Sequence, residues 1–427
     1  MSQGVRKGAT YALFGQGIAS IFLFFFQIFA GRWLGIEEYG LLNILYSAIF
    51  IVAVITVAGV VQGLIRYIAF FEAREDSKGV RQSIQTSTII YLIFLFITIL
   101  VSLIFKDLLL LKLFNGSQII LIQFLIGLFG LSLFRFYNGI IQGYRKFHIF
   151  SFGIGIKEFI MFLLLVVIVK YMHLSVKEAG WSIVISSFIG ILFILTTMRN
   201  PHLFIKWKGF DRINLQIVRF ILMAGLIALM NQWVVRAGPI LLKIIGGDKA
   251  DYHAGLFSAV VMPLNLARTA VVALLTGLFP NLSRAYSLKD ENLIRRYILK
   301  SVGIVGALTF FIIPIYYYYG PQIVRLLYGQ EYAVLKSDTI LLALVISFFL
   351  FGMLLSKILM ARGTPKYSAF SFLIGILGLL SILFWVKLPP MKLVEISLLV
   401  CNFLYTSLQA IYLIFIKFQR SIKKQGL

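Results

Sequence analysis

The chain has 427 residues, 60% of them hydrophobic and 13% charged, with a net charge of +24. Soluble domains run nearer half apolar and a quarter charged, so this composition excludes a soluble globular protein. One cysteine excludes a disulfide framework, and four scattered histidines show no metal-ligand spacing.

About 20 apolar residues are needed to cross a hydrocarbon core of roughly 30 Å. Twelve such stretches are predicted, approximately at 9–31, 41–65, 83–105, 118–142, 147–169, 178–198, 217–242, 254–279, 300–319, 338–361, 367–386 and 394–416. The first follows Arg6 and Lys7 but is too long for a signal peptide and has no A-x-A-like cleavage site. It reads as an uncleaved span. Runs this long are helices in lipid, because a helix satisfies its own backbone, whereas a barrel shows shorter alternating strands. The fold class expected is an all-α polytopic membrane protein.

The cations divide unevenly when the loops are numbered alternately from the N-terminus. One side holds 26, from Arg6 through Arg135 to Lys424, the other holds 11, and Lys157, Arg236 and Arg268 lie within spans. The richer side is the cytoplasmic one, which puts both termini in the cytoplasm and the spans in the cytoplasmic membrane. The basicity is thus topological and suits anionic lipid headgroups. No basic domain stands apart from the spans, so nucleic acid is not an expected partner.

An internal repeat divides the chain. Tyr39-Gly40-Leu41-Leu42 answers Gly255-Leu256-Phe257 with Tyr252 nearby, Gln16 falls on Asn231, and Leu113-Phe114 answers Leu327-Tyr328. Gly143 to Phe147 and Phe150-Ser151-Phe152 answer Gly363 to Tyr367 and Phe370-Ser371-Phe372. Two six-helix lobes, 1–205 and 206–427, follow. An even number of spans per repeat gives both lobes the same orientation, a transporter signature. All nine prolines lie at or after Pro201, so bent, moving helices are expected in the second half.

Charges inside a span are costly and face a cavity or a partner. Lys157 lies about 16 Å along the helix from Lys146, near mid-membrane. Arg268 is equally central, and Arg236 sits in the outer half. Asn265 shares a face with Arg268, and Gln232 with Arg236. Gln16, Ser20 and Gln27 form a polar stripe on span one, continued by Gln62 and Arg66 on span two. Arg suits phosphate because its planar fork bonds two oxygens. The substrate-binding set expected is therefore Arg268, Arg236, Lys157, Arg66, Asn265, Gln232, Gln16 and Gln62. Glu158 is the one carboxylate read as well inside a span. It is the candidate for proton or sodium coupling, or a salt bridge to a cation on a neighbouring helix such as Arg268. Adjacent helix positions do not face each other, so Lys157 and Glu158 are expected to point apart. No catalytic set, metal site or Walker A motif is visible, and no cofactor is expected.

The stretch Ala30 to Leu42, with Arg32, Leu34-Gly35, Glu37-Glu38 and Tyr39-Gly40-Leu41, resembles the A-R-x-L-G-x-E-x-[YF]-G-L pattern of polysaccharide exporters. So do Leu278 to Arg284, Leu327 to Tyr332 and Ala361 to Lys366. The chain is similar over its length to the Wzx-type lipid-linked oligosaccharide flippases of the MATE-like flippase superfamily. The resemblance implies two six-helix lobes in a V around a central cavity. It also implies outward movement of a polyprenyl-diphosphate oligosaccharide, with polysaccharide-assembly enzymes as partners. A cation-coupled multidrug antiporter of the same architecture is one alternative. A membrane glycosyltransferase or polysaccharide polymerase is another, although Glu37 and Glu38 read better as a capping or interfacial turn.

Overall fold

A computed structural model describes residues 3–198, 214–288 and 290–424. Within them, the side chains of 3–14, 58, 223, 226–235, several between 273 and 287, 365 and 416–424 lie outside the description. The described residues form twelve long helices: α1 Gln3–Leu34, α2 Ile36–Glu72, α3 Ser77–Ile104, α4 Gln118–Gly143, α5 Phe147–Leu165, α6 Val176–Thr197, α7 Leu215–Ile245, α8 Ala250–Ser287, α9 Glu291–Tyr328, α10 Lys336–Ala361, α11 Pro365–Trp385 and α12 Pro390–Lys424. Among the described residues there is no strand.

Eleven segments on these helices are long and apolar enough to cross a membrane. The twelfth expected stretch, 217–242, falls on α7. The protein is thus an all-α, multi-pass membrane protein. Large apolar side chains on its outside fit that setting, among them Phe96 at 68%, Phe310 at 70% and Phe384 at 81% exposed.

Helix starts are set by short polar side chains that satisfy otherwise orphaned backbone donors. Asp76 accepts from Gly79 N–H at 2.8 Å before α3, and Asp290 from Leu293 N–H at 2.9 Å before α9. Ser175 and Glu178 form a reciprocal capping box on α6. Gly35, at φ 76°, turns the chain between α1 and α2, where a side chain would be strained.

Helix order carries the repeat. The starts of α2 and α8 are 214 residues apart, as are those of α3 and α9 and of α6 and α12. The starts of α4 and α10, and of α5 and α11, are 218 apart. Packing repeats too: α4 and α5 both pack on α6, and α10 and α11 both pack on α12.

By internal packing the chain forms two compact units, 1–255 and 256–427. The sequence-level lobe boundary at 205/206 falls outside the described residues. α7 packs with the first unit because α2 and α7 meet at glycines. A Cβ on Gly59 would lie 2.1 Å from Ile221 O, and one on Gly225 would lie 3.4 Å from Gly59 Cα. Ile217 and Ile221 of α7 join Val57, Val60 and Leu64 of α2, Tyr91 of α3 and Phe136 of α4 in one buried cluster.

Pro239 lies inside α7, and Pro314 and Pro321 lie inside α9, without breaking either helix. Departures from α-geometry among the described residues of the first unit come without proline. They are π-helical turns at Leu109–Leu113 and Val166–Tyr171 and a 3-10 turn at Gly247–Lys249. Cys401 is buried on α12, with its backbone carbonyl against Gly375 of α11.

Candidate functional site: a cationic cavity in the first unit

Four helices of the first unit enclose a cavity of about 310 Å³. α2 contributes Tyr46, Phe50 and Gln62, α4 contributes Arg135, Asn138 and Gln142, α5 contributes Lys157 and Glu158, and α6 contributes Ser187. The lining follows helical spacing. Arg135, Asn138 and Gln142 recur at three and seven residues along one face of α4, and Tyr46 and Phe50 at four along α2.

Two guanidinium groups converge on one ring. Arg135 stands 4.3 Å from the Phe50 centroid, and Arg236 of α7 stands 4.7 Å from Phe50 and 4.4 Å from Tyr46. Arg236 is 6% exposed, and Arg135 is half-buried. Among the described residues neither has a carboxylate within 4.0 Å. Aromatic faces lower the cost of holding a desolvated guanidinium but leave its N–H donors open.

The third cation is partnered. Lys157 is 3% exposed and its Nζ donates to Glu158 Oε1 at 2.8 Å. The expectation that these neighbours point apart is corrected. The rule for adjacent helix positions describes where Cβ atoms point, and a long flexible lysine stem can still bring its ammonium to the next carboxylate. Gly190 of α6 leaves room for that stem, since a Cβ there would lie 3.3 Å from Lys157 Cβ. Glu158 Oε1 therefore answers the adjacent lysine. Its second oxygen, Oε2, is buried with no hydrogen-bond partner among the described residues, and so is Asn138 Oδ1. The lining thus combines two cations, Arg135 and Lys157, with one carboxylate and two acceptor oxygens that lack partners among the described residues, and Arg236 stands against the lining rings of Tyr46 and Phe50.

The other expected residues distribute as follows. Gln62 lines the cavity. Arg66, exposed on α2, lies 4.5 Å over the Phe220 ring of α7 and is not among the lining residues. Gln16 lies half-buried on α1, outside the lining. Gln27, part of the expected stripe, is buried and accepts from Tyr39 Oη at 2.9 Å, a structural role. Arg268 and Asn265 lie on α8 in the second unit, where Arg268 Nε donates to Asn265 Oδ1 at 3.2 Å. The side chain of Gln232 lies outside the described ones.

Arg135 is the residue that sequence reading placed wrongly, as an inner-loop cation. It lies eight residues before the end of α4, about 12 Å inside at 1.5 Å per residue. The available signal was the expected stretch 118–142 itself, which already contains position 135. Glu38 Oε2 accepts from Val176 N–H at 3.1 Å, so the Glu37-Glu38 pair starts α2 and ties it to α6.

Residues 5–286 match the family described as polysaccharide biosynthesis protein. No curated protein sequence matches the chain. Among solved structures, the chain is similar to an inward-facing multidrug resistance MATE family transporter of the MOP superfamily, with TM-score 0.76, 16% identity and coverage of 98% of this chain and 99% of that one. It is also similar to the eukaryotic MATE transporter AtDTX14, with TM-score 0.68, 15% identity and coverage of 96% and 95%. A third is a MOP superfamily transporter from Pyrococcus furiosus, described as having a binding pocket of reverse polarity that suggests a different function. There the TM-score is 0.65 and the identity 17%, with coverage of 98% and 99%. At these identities the likeness is one of fold.

Proposed function

The chain belongs to the polysaccharide biosynthesis protein family, and from that premise we propose that it moves a polyprenyl-diphosphate oligosaccharide across the cytoplasmic membrane by alternating access. The observation that carries this reading is the charge of the cavity. Arg135 and Lys157 line it with one carboxylate that already holds Lys157, and Arg236 stands over the lining rings of Tyr46 and Phe50. Open guanidinium donors beside aromatic rings suit a diphosphate and the sugar attached to it, while the polyprenyl tail stays in lipid. A carrier of cationic drugs needs carboxylates in excess of cations, and the lining has the reverse balance, which favours the anionic cargo over the multidrug antiporter. The reverse-polarity pocket described for the Pyrococcus furiosus relative is consistent with such divergence within one fold.

In this reading phosphate oxygens bond Arg135 and Arg236 first and then compete with Glu158 for Lys157. Glu158, released, takes a proton or sodium ion, which makes it the coupling group. Arg268 and Asn265 on α8, with Gln62, Gln16 and Gln232, offer further polar contacts to the sugar diphosphate, and Arg66 acts near the inner mouth. Both termini are cytoplasmic, since loop cations remain at 25 on that side against 11 after Arg135 is moved into the membrane. Assembly enzymes that build and use the lipid-linked sugar are the expected partners.

The test is flux of labelled polyprenyl-diphosphate oligosaccharide in liposomes. Arg135→Ala and Arg236→Ala are each expected to cut transport by about tenfold or more, the worth of one charge-assisted hydrogen bond. Wild-type flux in both overturns the cationic-cavity reading. Glu158→Gln is expected to transport without dependence on a pH or sodium gradient, and gradient dependence equal to wild type removes Glu158 from the cycle.

A further inference from the structure

The second unit holds a charge cluster that the cavity does not use, with two buried carboxylates around a partly exposed lysine. Lys392, near the start of α12, donates to Asp338 of α10, to Ser337 Oγ at 2.8 Å and to Glu395 Oε2 at 3.2 Å. Asp338 Oδ2 also accepts from Leu335 N–H at 3.3 Å. Glu395 is 0% exposed, and its Oε1 has no hydrogen-bond partner among the described residues.

Charge counting makes this cluster unstable as drawn with every group ionised. Two buried carboxylates share one partly exposed ammonium, which leaves one net negative charge on the buried pair. An uncompensated buried charge is strongly unfavourable. The charges facing Glu395 from the packed helices do not supply the balance. α11 carries no charged side chain between Ser368 and Trp385. On α10, Lys336 stands over the Tyr317 ring at 4.0 Å, and Lys357 lies nineteen residues beyond Asp338. α12 itself adds only the buried, uncharged Cys401 and Tyr405 nearby. A metal ion is a poor neutraliser, because the Lys392 ammonium already bridges the two carboxylates and would repel it. A proton needs no extra room and gives Oε1 a donor.

A second observation lies on the same helix. Asn402 and Gln409 follow Glu395 at seven-residue intervals on one face of α12, and both are 0% exposed. Asn402 Oδ1 and Gln409 Oε1 also lack hydrogen-bond partners among the described residues. Gln409 Nε2 donates to Ser368 Oγ at 3.3 Å, and Ser368 Oγ lies 2.8 Å from Ser356 Oγ. Buried acceptors of this kind are commonly satisfied by internal water. We propose that Glu395 is an exchangeable proton site of the second unit, reached along the face of α12 that carries Asn402 and Gln409. A hydrated proton passed along that line bonds Glu395 Oε1 and leaves neutral water behind, and release runs the same steps in reverse, so no other reactant is needed.

The test is infrared difference spectroscopy of the full chain in liposomes, which reads the C=O stretch of protonated carboxyls without any transport substrate. A protonated-carboxyl band near neutral pH is expected in the wild type and lost in Glu395→Gln, while Asp338→Asn shifts it and keeps it. The Asn402→Leu/Gln409→Leu chain is expected to keep the band and exchange it for deuterium several-fold more slowly. A Glu395→Gln spectrum identical to wild type, or a Glu395→Gln chain that no longer folds, overturns the proposal, because Glu395 is then an ionised partner of Lys392. Unaltered deuterium exchange in the double leucine chain overturns the route.

Discussion

The two units solve the same problem, charge inside an apolar bundle, with opposite signs. The first unit sets Arg135 and Lys157 on a cavity wall with one carboxylate and places Arg236 against two of the lining rings. The second gathers Asp338 and Glu395 around one lysine and seals them from solvent. The difference is not inherited from the repeat. At the 218-residue offset that relates α4 to α10 and α5 to α11, the counterparts of Arg135, Lys157 and Glu158 are Met353, Gly375 and Ile376. The repeat therefore duplicated an architecture, while the ionisable chemistry arose separately in each half. An open excess of cations is a site for a bound anion, and a closed excess of carboxylate is a site for a proton.

The sharpest way to break this comparison is to remove the cationic excess. Arg135→Ala/Arg236→Ala is expected to lower liposome flux about a hundredfold or more, two charge-assisted bonds at roughly tenfold each. Its thermal stability should hold, since the two groups repel one another in the unliganded cavity. Next in size is the buried pair. Lys157→Met should destabilise the chain by about 3–5 kcal/mol, because it strands Glu158 as an unpaired buried charge, and Lys157→Met/Glu158→Gln should recover most of that loss in thermal unfolding. A double variant no more stable than the single one would mean that Glu158 has another partner. Smaller again is the helix crossing. Gly59→Leu should cost about 1–3 kcal/mol by overpacking against the Ile221 carbonyl, read as a lowered unfolding temperature. The smallest effect expected is that of Phe50→Leu, which keeps an apolar side chain and removes the ring under both arginines. It should cost about 1 kcal/mol and leave flux within a few-fold of wild type.

The architecture was legible because lipid leaves few choices. All twelve apolar runs fall on long helices, and the offsets of the weak sequence matches, near 214 to 220, reappear in the helix starts. The site was legible only in part. Loop counting treats every cation near a span end as a loop residue, and so it moved Arg135 out of a helix that continues eight residues further. Glu395 was passed over for the same reason, lying one residue into an expected span at 394–416 yet fully buried. Lys157 and Glu158 were identified individually, but their pairing depends on side-chain length and on the space left at Gly190, which neighbouring positions along a chain do not reveal. The prolines pointed to bent helices in the second half. The described departures of the first unit are two π-turns and one 3-10 turn, which have no composition as plain as proline to mark them.

Cys401 gives the molecule a practical property. The one thiol in 427 residues is buried at 0% exposure inside α12, packed against α11. Maleimide and nitroxide reagents that require an exposed thiol will pass it by, so the natural chain already behaves as a cysteine-free background. Pairs of cysteines introduced on exposed helix ends can then be labelled without altering the interior, and the distances between them followed while cargo is added.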